Sequence, residues 1–71
     1  MNRTAVQSSN LRSVGYDATS SRLEVEFIKS GVFEYYDVPA SVHSGLMSAA
    51  SKGSYLDKHV KKAGYRYKKL S

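Results

Sequence analysis

Few residues of this chain have the type and spacing for chemistry. Glu24, Glu26 and Glu34 are carboxylates on two neighbouring strand-like segments. Acid–base work by a carboxylate pair needs a pocket that raises one pKa, and the solvated face of a sheet supplies none. These three are expected to face water and to pair with bases across the strands. Serine is abundant, but no Gly-x-Ser-x-Gly turn is present to expose a nucleophile. His43 and His59, with Asp57 nearby, lack a third convergent ligand for zinc, and the absence of cysteine excludes thiolate sites and disulfides. The expectation is a protein that is not an enzyme, with no catalytic residue, no metal and no cofactor.

Anion recognition suits the residues better. Ser51-Lys52-Gly53-Ser54 stands where a helix begins, so free backbone N–H groups and the positive end of the helix dipole converge there. Lys52 adds a charge, Gly53 admits a ligand to the backbone, and Ser54 adds a hydroxyl. The spacing of a phosphate-binding Walker loop is missing. Ordinary capping, with Gly53 chosen for close helix packing, accounts for the same four residues.

Charge points the same way. The net charge is +5, from eleven Lys plus Arg and six Asp plus Glu. Up to residue 51 the bases Arg3, Arg12, Arg22 and Lys29 are nearly balanced by Asp17, Glu24, Glu26, Glu34 and Asp37. From residue 52 onward Lys52, Lys58, Lys61, Lys62, Arg66, Lys68 and Lys69 face Asp57 alone. Such asymmetry suits an anionic partner, or else a solvated basic tail. Aromatic residues are interleaved with these bases. Tyr55, Tyr65 and Tyr67, with the exposed Tyr36, are candidates to stack on a base. Tyr16, Tyr35 and Tyr55 equally suit the core of a chain with no Trp.

These residues need elements to hold them. Leu11–Tyr16 is a short mixed segment, Leu23–Ile28 alternates apolar and acidic residues, and Val32–Val38 is aromatic and β-branched, so all three read as strands. Asp17–Ser21 makes one hairpin loop and Lys29-Ser30-Gly31 the other, Gly31 supplying a positive φ. Phe33 and Tyr35 are expected beneath the helices. Pro39 ends the third strand and opens a helix carrying Val42, Leu46 and Ala49 on one stripe, which Gly45 weakens by about 1 kcal/mol. A second helix runs from Ser51 as N-cap to about Lys62 on the stripe Leu56, Val60 and Ala63, with Lys58 and Lys61 outward and Gly64 as C-cap. The fold class is α+β: a three-stranded antiparallel meander with two helices on one face and a possible short C-terminal edge strand.

Seventy-one residues suffice for one domain, with residues 1–9 loose or edge-paired and 68–71 a flexible tail. Nothing approaches the ~20 apolar residues of a membrane span, and Met1–Asn10 is too polar for a signal peptide. The chain is therefore expected to be cytoplasmic, away from membranes, and a monomer or small homo-oligomer.

A family pattern runs through Ser9-Asn10, Gly15-Tyr16-Asp17, Leu23-Glu24-Val25-Glu26-Phe27 and Gly31-Val32-Phe33-Glu34-Tyr35. It continues through Val38-Pro39, Ser51-Lys52-Gly53-Ser54-Tyr55-Leu56, His59-Val60 and Tyr65-Arg66-Tyr67. With these residues the chain resembles the KTSC domain, named for the C-terminal extension of some lysyl-tRNA synthetases and also found free-standing in bacteria and phages. One departure is Phe33, where the family's central aromatic-x-aromatic motif has Tyr. The resemblance implies a stand-alone α+β domain without established enzymatic activity, and its company with a tRNA-charging enzyme suggests RNA.

The leading functional expectation is a non-catalytic module for RNA or another phosphate-bearing partner. Lys52, the N–H groups after Ser51, Gly53 and Ser54, and Lys58, Lys61, Lys62, Arg66, Lys68 and Lys69 would meet phosphate. A small protein sequestering a nucleotide signal at an oligomer interface is one alternative. A protein–protein interaction module is the other.

Overall fold

The computed structural model describes residues 3–71. Five strands, β1 (Arg3–Ala5), β2 (Leu11–Asp17), β3 (Arg22–Phe27), β4 (Gly31–Tyr35) and β5 (Tyr67–Lys69), form one sheet in the order β1-β2-β3-β4-β5. Every neighbouring pair is antiparallel. Between β4 and β5 lie α1 (Ala40–Ser48) and α2 (Lys52–Leu56), which continues into a π turn (Asp57–Lys61). The α+β class and the central meander are as expected, and the sheet has five strands: β5 lies on the edge where a short C-terminal strand was possible, and β1 adds one on the other edge. The added strands are short and exposed, and they carry Arg3 on one edge and Lys68 and Lys69 on the other. Charged residues on edge strands discourage pairing with other chains.

Two backbone irregularities decide which side chains face the core. Leu11 pairs with Phe27 but Ser13 pairs with Glu26, so Arg12 is an extra residue on β2. This bulge turns Leu11 and Val14 inward together, although strict alternation would put them on opposite faces. At the end of β4 the strand stops at Tyr35 rather than running to Val38. Asp37 adopts φ 57, redirecting the chain so that the Val38 N–H bonds the Ser21 carbonyl at 2.9 Å. Gly31 (φ 91) and Gly64 (φ 87) take the left-handed conformations expected of a hairpin turn and a helix C-cap.

The inner face of the sheet packs Leu11, Val14, Leu23, Val25 and Tyr35 against Val38, Leu46, Leu56 and Val60. Leu46 is the buried residue of α1, while Val42 and Met47 pack at the margin. The Tyr16 hydroxyl closes this core by donating to the Val38 carbonyl at 2.5 Å. The helices meet where Gly45 lies under the Tyr55 phenol.

The outer face departs from the solvated array expected of it. Glu24 and Glu34 stand directly opposite one another and are only 9% and 7% exposed. Gly15, opposite Glu24, has no side chain, so Arg3 reaches across it to bond the Glu24 carboxylate. Arg22 lies 3.5 Å from Glu34, and the Ser13 hydroxyl donates to Glu26 at 2.9 Å. Glu24 and Glu34 are covered by the arginines that neutralise them. Such pairing satisfies buried charge that would otherwise be costly.

Of the segment 1–9, Arg3–Ala5 pair with β2, and Met1 and Asn2 lie outside the described residues. The expected flexible tail 68–71 is instead hydrogen-bonded into the sheet. The Leu70 N–H bonds the Val32 carbonyl at 2.7 Å and the Val32 N–H bonds the Ser71 carbonyl at 3.3 Å. Val32, at the edge of the meander, would otherwise leave its backbone groups unpaired. No described helix is long and apolar enough to cross a membrane.

Candidate functional site

Two short helices cannot cover five strands, and the uncovered part of the inner face lies toward β4 and β5. There a groove of about 360 Å³ is lined by Phe27, Phe33, Tyr35, Tyr65 and Tyr67, with Ser30 and Lys61 at its margin. Alternation puts these aromatic residues together, since Val25 pairs with Phe33, which pairs with Lys69, and Leu23 pairs with Tyr35, which pairs with Tyr67. Phe33, expected beneath the helices, is half-covered because neither helix extends that far. Its ring meets Phe27 edge-on at 5.4 Å between centroids and tilts against Tyr67 at 6.0 Å. Tyr67 also lies 5.7 Å from Tyr35 and remains 63% exposed. Burial, and secondarily the nearby Tyr67, raises the Tyr35 pKa above its ordinary value. Its phenol thus stays protonated at neutral pH.

Two ammonium groups lie over this aromatic floor. Lys61 Nζ is 4.9 Å from the centroid of Phe27, and Lys69 Nζ is 5.9 Å from that of Phe33, both within cation–π range. Lys61 was expected to face outward with Lys58. The π turn explains the difference: an i→i+5 turn, closed by the Lys62 N–H to the Asp57 carbonyl at 3.0 Å, advances less per residue than an α-turn. Lys61 is thereby left facing the sheet. The expected core residue Ala63 is exposed for the same reason, while Leu56 and Val60 are buried.

A second, polar groove of about 540 Å³ adjoins the first and shares Phe27, Ser30 and Lys61 with it. Asn10, Lys29, Gly53, Ser54 and Asp57 are among its walls. The helix start expected to cradle an anion is partly occupied by the protein itself. Ser51 makes no side-chain capping bond, and the Lys52 ammonium donates back to the Ala49 carbonyl at 3.2 Å. A Cβ on Gly53 would approach Asn10 Nδ2 to 2.9 Å, so this glycine serves close packing against the loop before β2.

The remaining candidates are dispersed. Tyr55 is half-buried between the helices and lies 4.3 Å from the His59 ring. Tyr36 and Arg66 associate at 5.8 Å beside Asp37, and Lys68 stands opposite Glu34 in the strand register, on the outer face. Lys62 reaches Asp57 at 3.3 Å, and Lys58 is exposed. The structure therefore unites Lys61, Lys69, Tyr65 and Tyr67 around one groove, with Gly53 and Ser54 in its polar extension. Sequence reasoning missed Phe27, Phe33, Ser30, Lys29 and Asn10. Phe27 and Phe33 were legible as inward-facing, and the shortness of the helices was the signal that they would stay uncovered. Among the described residues no three His, Asp or Glu side chains gather to hold a metal ion.

A five-stranded antiparallel sheet, helices that leave part of one face uncovered, and an aromatic groove with lysines at its rim define a small α+β class of domain. The KTSC domain profile matches residues 7–67, and the chain belongs to that family. The crystal structure of a KTSC domain protein from Yersinia pestis superposes with a TM-score of 0.92 at 37% identity, covering 99% of this chain and 97% of that one. A protein from Stutzerimonas stutzeri is 43% identical over 67 residues, 94% of each chain. The lysine–tRNA ligase of Trichormus variabilis is 35% identical over 65 residues, which are 92% of this chain and 11% of the ligase.

Proposed function

We propose that the chain is a non-catalytic binding module for RNA or another phosphate-bearing partner, with Lys61 and Lys69 as its central phosphate contacts. The observation that carries this reading is the position of both ammonium groups over the rings of an open aromatic groove. Cations held over rings are oriented at little cost in side-chain entropy, and they flank apolar surface on which a base can lie. Lys58, Lys62, Arg66 and Lys68 add long-range attraction. Gly53 and Ser54 line the polar groove through which a phosphate chain would leave. Relatives named as lysine–tRNA ligases support an RNA-directed reading.

Fluorescence anisotropy of labelled RNA against salt concentration tests it. Neutralising three to five phosphates gives a slope of log K against log salt of roughly −2 to −4. Lys61→Glu with Lys69→Glu should flatten the slope and weaken binding. A flat wild-type response would remove the reading.

A further inference from the structure

We infer that the groove between β3, β4 and β5 is a seat for one unpaired base of single-stranded RNA, with the phosphates on either side of that base held by Lys61 and Lys69. This rests on the phosphate-binding reading above and assigns it a site and a strand state.

The walls decide what can enter. Phe27 from β3, Phe33 and Tyr35 from β4, Tyr65 just before β5 and Tyr67 on it supply rings to the groove, and a ring is a stacking surface for any base. Within a duplex both faces of a base are already stacked on neighbours, so only an unpaired base can occupy such a groove. Internal packing alone does not account for the arrangement. Tyr67 is 63% exposed although it lies 6.0 Å from Phe33 and 5.7 Å from Tyr35, so much of its side chain stays open to a ligand.

The cations decide how many phosphates are met. Lys61 comes from the helical side and stands over Phe27, while Lys69 comes from the edge strand and stands over Phe33. Charge thus lies on two sides of the seat. A base inside a strand has a phosphate on each side, whereas a free nucleoside monophosphate has one. Past Lys61 the polar groove offers Lys29, Asn10 and Ser54, which continues the strand's path toward the start of α2. Besides the two lysines, the polar side chains around the seat are the hydroxyls of Ser30 and the tyrosines, and hydroxyls both donate and accept. Binding should therefore discriminate weakly between bases.

The test compares three probes by anisotropy and competition at low salt: a labelled 12-nucleotide oligouridylate, an RNA duplex of the same length, and uridine monophosphate as competitor. The single strand is expected to bind about tenfold tighter than the duplex, in keeping with the stacking contribution of one base. Tyr67→Ala should weaken single-strand binding about tenfold and so remove that preference. Tyr67→Phe, which keeps the ring, should retain it. Circular dichroism of the variants checks that the sheet is intact, and Lys69→Ala provides a second route by lowering single-strand affinity severalfold. Equal binding of strand and duplex, with Tyr67→Ala silent, overturns the base seat and leaves the phosphate reading standing. Competition by uridine monophosphate at concentrations comparable to the oligonucleotide overturns the assignment to a strand. No binding of any probe removes both readings.

Discussion

Replacing Gly45 by Ala sets two effects of known sign against each other. Alanine in place of glycine inside a helix stabilises by about 1 kcal/mol. Gly45, however, lies under Tyr55: a Cβ there would overlap the phenol hydroxyl and approach Cζ to 2.6 Å and Cε2 to 3.1 Å. The Tyr55 ring is itself pinned, half-buried and 4.3 Å from His59, so it cannot swing away freely. Forcing an extra methyl into such a contact costs about 1–3 kcal/mol. With the propensity gain subtracted, Gly45→Ala should destabilise by about 1 kcal/mol. In a Tyr55→Ala background the obstruction is gone and the same substitution should stabilise by about 1 kcal/mol, a coupling of about 2 kcal/mol between neighbours. Urea denaturation of the four proteins, followed by circular dichroism, measures the cycle. Destabilisation of equal size in both backgrounds would refute the reasoning, since the helix contact would then not be what excludes the side chain.

Two other outcomes follow from the geometry. Gly31→Ala places a side chain at φ 91 and drives it into the backbone of Ser71, whose carbonyl carbon would lie 3.1 Å away. A loss of about 1–2 kcal/mol from the backbone conformation alone is expected, lowering the melting temperature by about 4–8 °C per kcal/mol. Deleting Leu70 and Ser71 should leave only that conformational part. Burial holds the His43 imidazole, stacked 4.8 Å from Tyr16, below its ordinary value of 6.5. The unfolded chain therefore binds the proton first, and this group's effect on stability is absent well above 6.5 and becomes unfavourable as pH falls through that value. Thermal unfolding from about pH 7 to about pH 5 should show a steeper loss in the wild type than in His43→Phe, which keeps a ring but cannot titrate.

Much of the fold was readable because local rules and tertiary packing agree there. Leu23, Val25 and Phe27 alternate against Glu24 and Glu26, and β3 follows them. Gly31, Pro39 and Gly64 punctuate the chain where their backbone preferences require. What escaped depends on partners distant in sequence. The bulge at Arg12 breaks the alternation of β2, so that strand looked short and mixed. β1, Arg3-Thr4-Ala5, is too short for any periodicity to emerge, whereas β5 was legible only as a possible edge strand from the alternation around Tyr65-Arg66-Tyr67. Burial of Glu24 and Glu34 required Arg3 and Arg22 to fold over them, which no local pattern announces. At the site, the basic and aromatic character of Lys61, Tyr65, Tyr67 and Lys69 was legible, but its convergence with Phe27 and Phe33 was not. The π turn that redirects Lys61 has no sequence signal in this chain that we recognise.

The order of the sheet has a kinetic consequence. β2, β3 and β4 each pair with the strand before them across short loops, so this part of the sheet closes through local contacts that form rapidly. β5 can join only after residues 36–66 have wound into helices and returned to the edge. It is also exposed at all three of its positions. Assembly of the chain therefore ends with β5, and partial opening begins there, well below the free energy of global unfolding. Tyr67 and Lys69 are on that strand. Amide exchange at Tyr67–Lys69 should outpace that of β3, and anything that settles on both Lys61 and Lys69 would act as a clasp on the last segment to arrive.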